Sequence, residues 1–167
     1  MPTFGPGGQS INTAPAATWI FTPTPNAPST VRLWNPGTAI AYVGQNPVTA
    51  FNGFPIPPQC KPVELQNVST TLYAVAAVTP GAGTNTVNTS SAVAGVTSFT
   101  VSGTVGLAVG GTVVIGIGNN REAFVVSGLQ ATSVTVSTAS LYAHPTGDTV
   151  TTATLSPTAL TIIAGAL

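Results

Sequence analysis

Charge is what this chain lacks most. No charged side chain occurs between Glu64 and Arg121, and only 4% of the sequence is charged, against about a quarter in an average soluble domain. The formal net charge is zero, set by Arg32, Lys61 and Arg121 against Glu64, Glu122 and Asp148. Nucleic-acid binding by counterion release needs a basic patch that displaces several ions at once, and scattered cations do not make one, so no nucleic-acid partner is expected. Cysteine is nearly absent as well. Cys60 stands alone, which excludes an internal disulfide or a cysteine-rich metal cage and fits synthesis in a reducing cytosol. Histidine is represented once, by His144, too few for a histidine-based metal centre. Met1 to Ser10 has neither a basic n-region nor an apolar h-region, so no secretory signal is expected.

Long apolar runs are missing too. The best window for a membrane span is Val101 to Gly118, but Gly103, Gly106, Gly110, Gly111 and Gly116 interrupt it and Asn119–Asn120 follow directly. A spanning helix needs about 20 mostly apolar residues. Strands joined at glycine turns explain the window better, and no membrane partner is expected. Period-3.6 amphipathicity appears in no window, which argues against an α-helical fold.

What the sequence does have is Val, Thr, Ala and Gly for strands, with Pro and Gly to turn them. Hydrophobic residues make up 43% of the chain, unlike disordered segments of low hydrophobicity and high net charge. A chain this neutral has little repulsion to keep copies apart, so self-association is expected. The strand pattern predicts an all-β protein of two small antiparallel β-sandwich or barrel modules with an extended Pro/Gly-rich N-terminal arm. Residues 1–30 form that arm: Pro2, Pro6, Pro23, Pro25 and Pro28 remove donors and fix φ. Its apolar residues, Phe4, Ile11, Trp19, Ile20 and Phe21, need a surface, on the same domain or on a neighbour.

Residues 31–79 read as the first β-module. Val31–Trp34, Ala39–Val43, Pro62–Gln66 and Thr71–Val78 are strands, separated by Asn35-Pro36-Gly37, Gly44-Gln45-Asn46-Pro47 and the loop Asn52–Pro58. Residues 80–94 are a Gly/Thr/Ser-rich linker. Residues 95–155 form the second β-module, with strands at Ser98–Ser102, Thr112–Ile117, Glu122–Val126, Ser133–Ser137 and Asp148–Leu155. Residues 156–167 are an apolar tail suited to a terminal strand or an intersubunit contact.

The search for chemistry yields little. His144 lies in the turn His144-Pro145-Thr146-Gly147-Asp148, where Asp148 supports the turn backbone. A dyad with Asp148 serving Ser140 as nucleophile is the catalytic alternative, but the spacing does not require it. Cys60 lies beside Lys61, a cation of the kind found next to reactive thiols, yet the one imidazole lies in the other module and a semi-buried structural thiol is the simpler reading. Glu64 and Glu122 do not form the paired carboxylates of a glycosidase. Gly116-x-Gly118 lacks the third glycine and the helix of a dinucleotide fingerprint. The expectation is therefore no catalytic, cofactor-binding or metal residues and no cofactor.

The aromatics are informative by position. Trp34, Tyr42 and Tyr73 suit a module core. Phe51 and Phe54 bracket Asn52-Gly53 in a Pro-rich loop, where local burial is hard, and aromatics are enriched at interface hot spots. Phe4, Trp19, Phe21, Phe51 and Phe54 are accordingly the candidate interface residues.

Two stretches carry a family resemblance. Val31-Arg32-Leu33-Trp34-Asn35-Pro36-Gly37, Ala41-Tyr42-Val43-Gly44, Val48-Thr49-Ala50, Asn52-Gly53-Phe54-Pro55-Ile56 and Leu72-Tyr73-Ala74-Val75 are similar to a β-module of tailed-bacteriophage structural proteins. Gly95–Val101, Gly106–Gly110 and His144–Val150 resemble a second phage surface module. The family's residues before the closing strand are polar, whereas Gln59-Cys60-Lys61-Pro62 stands there in this chain. The resemblance covers 31–79 and 95–150. It implies a virion protein made in the host cytoplasm and carried on the capsid exterior. The expected role is a capsid decoration (cement) protein that stabilises the lattice of the major capsid protein, as a homotrimer and without catalysis. A tail or fibre protein holding a host surface saccharide is the alternative.

Overall fold

The computed structural model describes residues 3–4, 9–10, 17–23, 25, 29–83, 85–88, 93–156 and 158–165. The protein is all-β and antiparallel, and no helix among the described residues is long and apolar enough to cross a membrane. The chain divides into two compact units, residues 1–77 with 156–167, and residues 78–155.

Unit 1 is built from two facing sheets. The first holds β1 (Thr3–Phe4), β3 (Thr18–Thr22), β5 (Ala41–Gly44), β6 (Phe54–Ile56) and β8 (Leu72–Pro80). Its order is β1-β3-β8-β5-β6. The second has the order β2-β15-β4-β7, with β2 (Gln9–Ser10), β4 (Ser29–Trp34), β7 (Val63–Val68) and β15 (Ala159–Gly165). Alternation decides the faces, because successive side chains of a strand point to opposite sides. In β4, Ser29, Val31 and Leu33 point inward while Arg32 and Trp34 point out. The core joins Ile20, Phe21, Val31, Leu33, Ala41, Val43, Ile56, Leu72, Ala74 and Leu160, with residues from both sheets.

Two features of unit 1 depart from simple alternation. Val63 and Leu65 face the core, yet Val68 does too, because Asn67 takes a φ of 56° and the register to β4 shifts by one residue there. Asparagine tolerates this left-handed backbone better than most residues, and the extra residue is a β-bulge. The second feature is β3. The segment expected to run as an extended arm is extended, but Thr18–Thr22 pairs with β8 on one side and β1 on the other. No proline lies between Pro15 and Pro23, so nothing prevents Thr18–Thr22 from donating to both neighbours. Of the arm's apolar residues, Ile20 and Phe21 thus dock in the core of their own unit, while Ile11 lies outside the described residues. Residues 156–167 likewise contribute β15, held between β4 and β2.

Unit 2 contains β9 (Asn85–Thr86), β10 (Ser98–Thr100), β11 (Thr112–Ile115), β12 (Glu122–Gln130), β13 (Ser133–Val136) and β14 (Thr149–Ser156). The ladders run β9-β14-β11-β12-β13-β10. An isolated bridge between Val87 and Val101 joins the two ends. One bridge is not a ladder, so the circuit stays short of a closed barrel. Phe99, Val101, Val113, Ile115, Phe124, Val126, Val134, Val136 and Val150 fill the inside.

Candidate functional site

Four of the five candidate interface residues have described side chains, and these four end up in three different environments. Phe21 is fully buried in the core of unit 1. Expected at an interface, it belongs instead to the inward face of β3, where a bulge between Trp19 and Phe21 turns Ile20 and Phe21 both inward. Trp19 is half-buried, and its indole N–H donates to Thr22 Oγ1 at 2.8 Å. Phe4 pairs with Phe21 across β1 and β3 in backbone register. Phe51 is half-buried, whereas Phe54 is 53% exposed.

The loop that carries Phe51 is tightly tied. The Thr49 N–H donates to Asn52 Oδ1 at 2.6 Å, Phe51 N–H to Thr49 Oγ1 at 3.1 Å, and Asn52 Nδ2 to the Pro47 carbonyl at 3.0 Å. Gly53 is required there: a Cβ would lie 2.8 Å from Tyr42 Cβ and 2.9 Å from Val48 Cγ2. The loop then enters β6, which among the described residues pairs with β5 alone. Pro55 sits on this edge, where proline is tolerated and discourages further strand addition. Phe54 is thus an aromatic ring presented outward by a rigid turn.

Beneath the same region lies a buried polar hub. Asn35 is fully buried. Its Nδ2 donates to the carbonyls of Ala39 at 2.7 Å and Ile56 at 2.9 Å, and its Oδ1 accepts from Gly37 N–H and Thr158 Oγ1. The side chain is saturated, which makes its burial tolerable. Through Thr158 it fastens the segment that leads into β15.

Unit 2 holds the one buried cluster of ionisable groups among the described residues. His144 is fully buried, and Glu122 and Asp148 nearly so. Nδ1 of His144 lies 2.9 Å from Asp148 Oδ2 and Nε2 lies 3.0 Å from Glu122 Oε1. Glu122 also accepts the N–H groups of Leu141 at 2.8 Å and Tyr142 at 2.7 Å. Phe99 and Phe124 meet the imidazole edge-on, at centroid distances of 5.7 and 6.4 Å. Burial pushes the His144 pKa down, but the hydrogen bonds to Glu122 and Asp148 and their charges outweigh it, and the net shift is upward. An imidazole donates from both nitrogens only when protonated, so the geometry and the direction of the shift agree on an imidazolium between two carboxylates.

Asp148 was expected to support the turn backbone, its pairing with His144 belonging only to the catalytic alternative; the Asp148 carboxylate instead bonds the imidazole. Glu122 was not expected at all. A signal for it exists in the sequence. In Glu122–Val126 the alternation that buries Phe124 and Val126 buries Glu122 on the same face, and a buried carboxylate demands donors. Asp148, directly before β14, and Val150 on it repeat the argument.

The cluster's chemistry is limited by its own contacts. A general base needs a nitrogen facing the nucleophile, and both nitrogens of His144 face carboxylates. Ser140, the alternative nucleophile, is buried with its Oγ unpartnered. The carboxylates sit on opposite nitrogens of the ring rather than converging on one point, and among the described residues no group of three His, Cys, Asp or Glu side chains could hold a metal ion. Cys60 is a half-buried free thiol packed against the core of unit 1. No protein-family model, curated protein or solved structure matches the chain.

Proposed function

We propose that the chain is a structural virion protein, a tailed-phage head decoration protein that binds and stabilises the lattice of the major capsid protein, as a homotrimer and without catalysis. The resemblance of residues 31–79 and 95–150 to phage surface modules motivates this reading. The observation that carries it is the placement of the reactive groups: Glu122, His144 and Asp148 hold one another in the interior, where they build structure. The surface offers little charge. It presents apolar side chains instead, among them Phe54, Val105 at 86% exposure and Val109 at 63%. Such a surface adheres by apolar burial, at about 25 cal/mol per Å².

The outward ring of Phe54 also favours a second reading, a tail or fibre protein that stacks a host saccharide. Copy number separates the two. Purified virions carrying hundreds of copies, with antibody label over the head in electron micrographs, support decoration. A handful of copies at the tail tip overturns it in favour of the adhesin.

A further inference from the structure

The Glu122–His144–Asp148 cluster lies where three connections of unit 2 meet, and each is attached to it by a named contact. The turn after β11 approaches through Gly116, where a Cβ would lie 2.9 Å from His144 Cε1. Gly116 has a φ of 107°, a backbone state that side chains rarely adopt. The long connection from β13 to β14 is attached twice, by His144 itself and by the Leu141 and Tyr142 N–H groups on Glu122. Asp148 leads directly into β14, and its carbonyl accepts from Val87 N–H at 2.8 Å. The groups facing the imidazole are Glu122 from β12, Asp148 from the turn before β14, the rings of Phe99 on β10 and Phe124 on β12, and the Gly116 backbone. Among them only the two carboxyl groups are ionisable.

The proton count follows from the contacts. Two ring nitrogens facing two carboxyl oxygens require a proton in each contact, and the raised His144 pKa places both on the ring, as the imidazolium. Remove one proton and a ring lone pair faces a carboxylate oxygen at about 3 Å inside an apolar shell, an unpaired buried contact of high cost. We propose that this cluster is a protonation-dependent clasp: the imidazolium holds the connection 137–148 and the turn at Gly116 onto the end of the unit 2 sheet, and loss of its proton loosens them while the surrounding strands stay paired. The loosened parts carry two exposed apolar side chains, Ile117 at 59% and Leu141 at 45% exposure, so the clasp also fixes how that end of the unit is presented.

The sign is set by linkage. His144 has its pKa raised in the folded state, so its stabilisation is complete below the ordinary histidine value and is lost as pH rises through the folded value. Between those two values one proton separates the closed and loosened forms, and the loosened population rises by up to about tenfold per pH unit before it levels off.

The test uses the full-length labelled chain. His144 is the only histidine, so one imidazole signal set reports the cluster. Titrated by NMR from about pH 5 to about pH 10, it is expected to stay protonated above 6.5, the ordinary value. Amide exchange at Leu141 and Tyr142, corrected for its intrinsic rise with pH, is expected to accelerate between 6.5 and the imidazole midpoint, while amides of the β12–β13 ladder keep their protection. A midpoint at or below 6.5 overturns the proposal. So does protection of Leu141 and Tyr142 that ignores the titration, or loss of the β12–β13 amides in parallel. Glu122→Gln is expected to lower the imidazole midpoint, and an unmoved midpoint counts against the clasp; if that variant does not fold, the native titration decides alone.

Discussion

Replacing Asn35 by alanine would strand the Gly37 N–H and the Ile56 carbonyl in the interior and take one acceptor from Thr158. Unsatisfied buried groups cost about 1–3 kcal/mol each, so Asn35→Ala is expected to destabilise unit 1 by about 3 kcal/mol. Denaturant unfolding followed by tryptophan emission measures it, since Trp19 and Trp34 both belong to unit 1. The exposed ion pair on β4, the strand that leads into Asn35, gives the opposite expectation. Arg32 Nε donates to Glu64 Oε2 at 2.8 Å on the outer face of β4 and β7. Glu64 has its pKa lowered by the Gln66 hydrogen bond first and by Arg32 second, so any stabilisation is present above the ordinary carboxylate value and lost as pH falls. Solvent screens such a pair, and Arg32→Ala is expected to leave the denaturation midpoint at neutral pH unchanged. Charge is rare in this chain, and position decides what each charge does: Glu64 decorates an outer face, while Glu122 organises an interior.

At the scale of elements, most strands of both units were legible because alternation and breakers agree, but β6 lies inside the stretch read as the loop Asn52–Pro58 and β9 inside residues 80–94, read as a linker. Val31–Trp34, Thr112–Ile117 and Ser133–Ser137 each fall within a residue or two of the observed strand. Less legible was which strand would pair with which. β15 crosses to β4 over more than a hundred residues of intervening chain, and no local pattern encodes that choice. β3 was obscured because its neighbours are prolines, although Thr18–Thr22 itself contains none. The cluster was half legible. Asp148 stands four residues from His144, within sight of any local reading, whereas Glu122 stands twenty-two residues away and arrives through the β11–β12 and β11–β14 ladders. The turn at Gly116 offers an element-scale test. A Cβ there meets Asn120 O at 2.7 Å and the His144 ring, at a φ of 107°. Strain and displacement of the ring together predict that Gly116→Ala destabilises unit 2 by about 2 kcal/mol, read from the loss of native His144 signals with denaturant. An equally stable variant with an unmoved imidazole would show that the turn does not press on the cluster.

At the scale of the whole molecule, adhesion should follow from what the surface lacks. With zero net charge and 4% charged residues, copies repel one another little, and long-range steering toward a charged partner is weak. Apolar contact is left as the main attraction, and salt does not screen it. Sedimentation of the purified chain should therefore show self-association that persists in about 1 M sodium chloride, where charge interactions reach only about 3 Å. Phe54 supplies the matching variant. It is 53% exposed and lies outside the core, so Phe54→Ser should change stability by no more than about 0.5 kcal/mol. If the ring is a contact, the same variant should weaken self-association or attachment to particles, and the deficit should be the same at low and high salt. Dissociation by salt alone would mean that the few charges, and not the apolar surface, hold copies together. An unchanged association for Phe54→Ser would move the contact to other exposed apolar side chains, with Val105 and Val109 the next to be replaced.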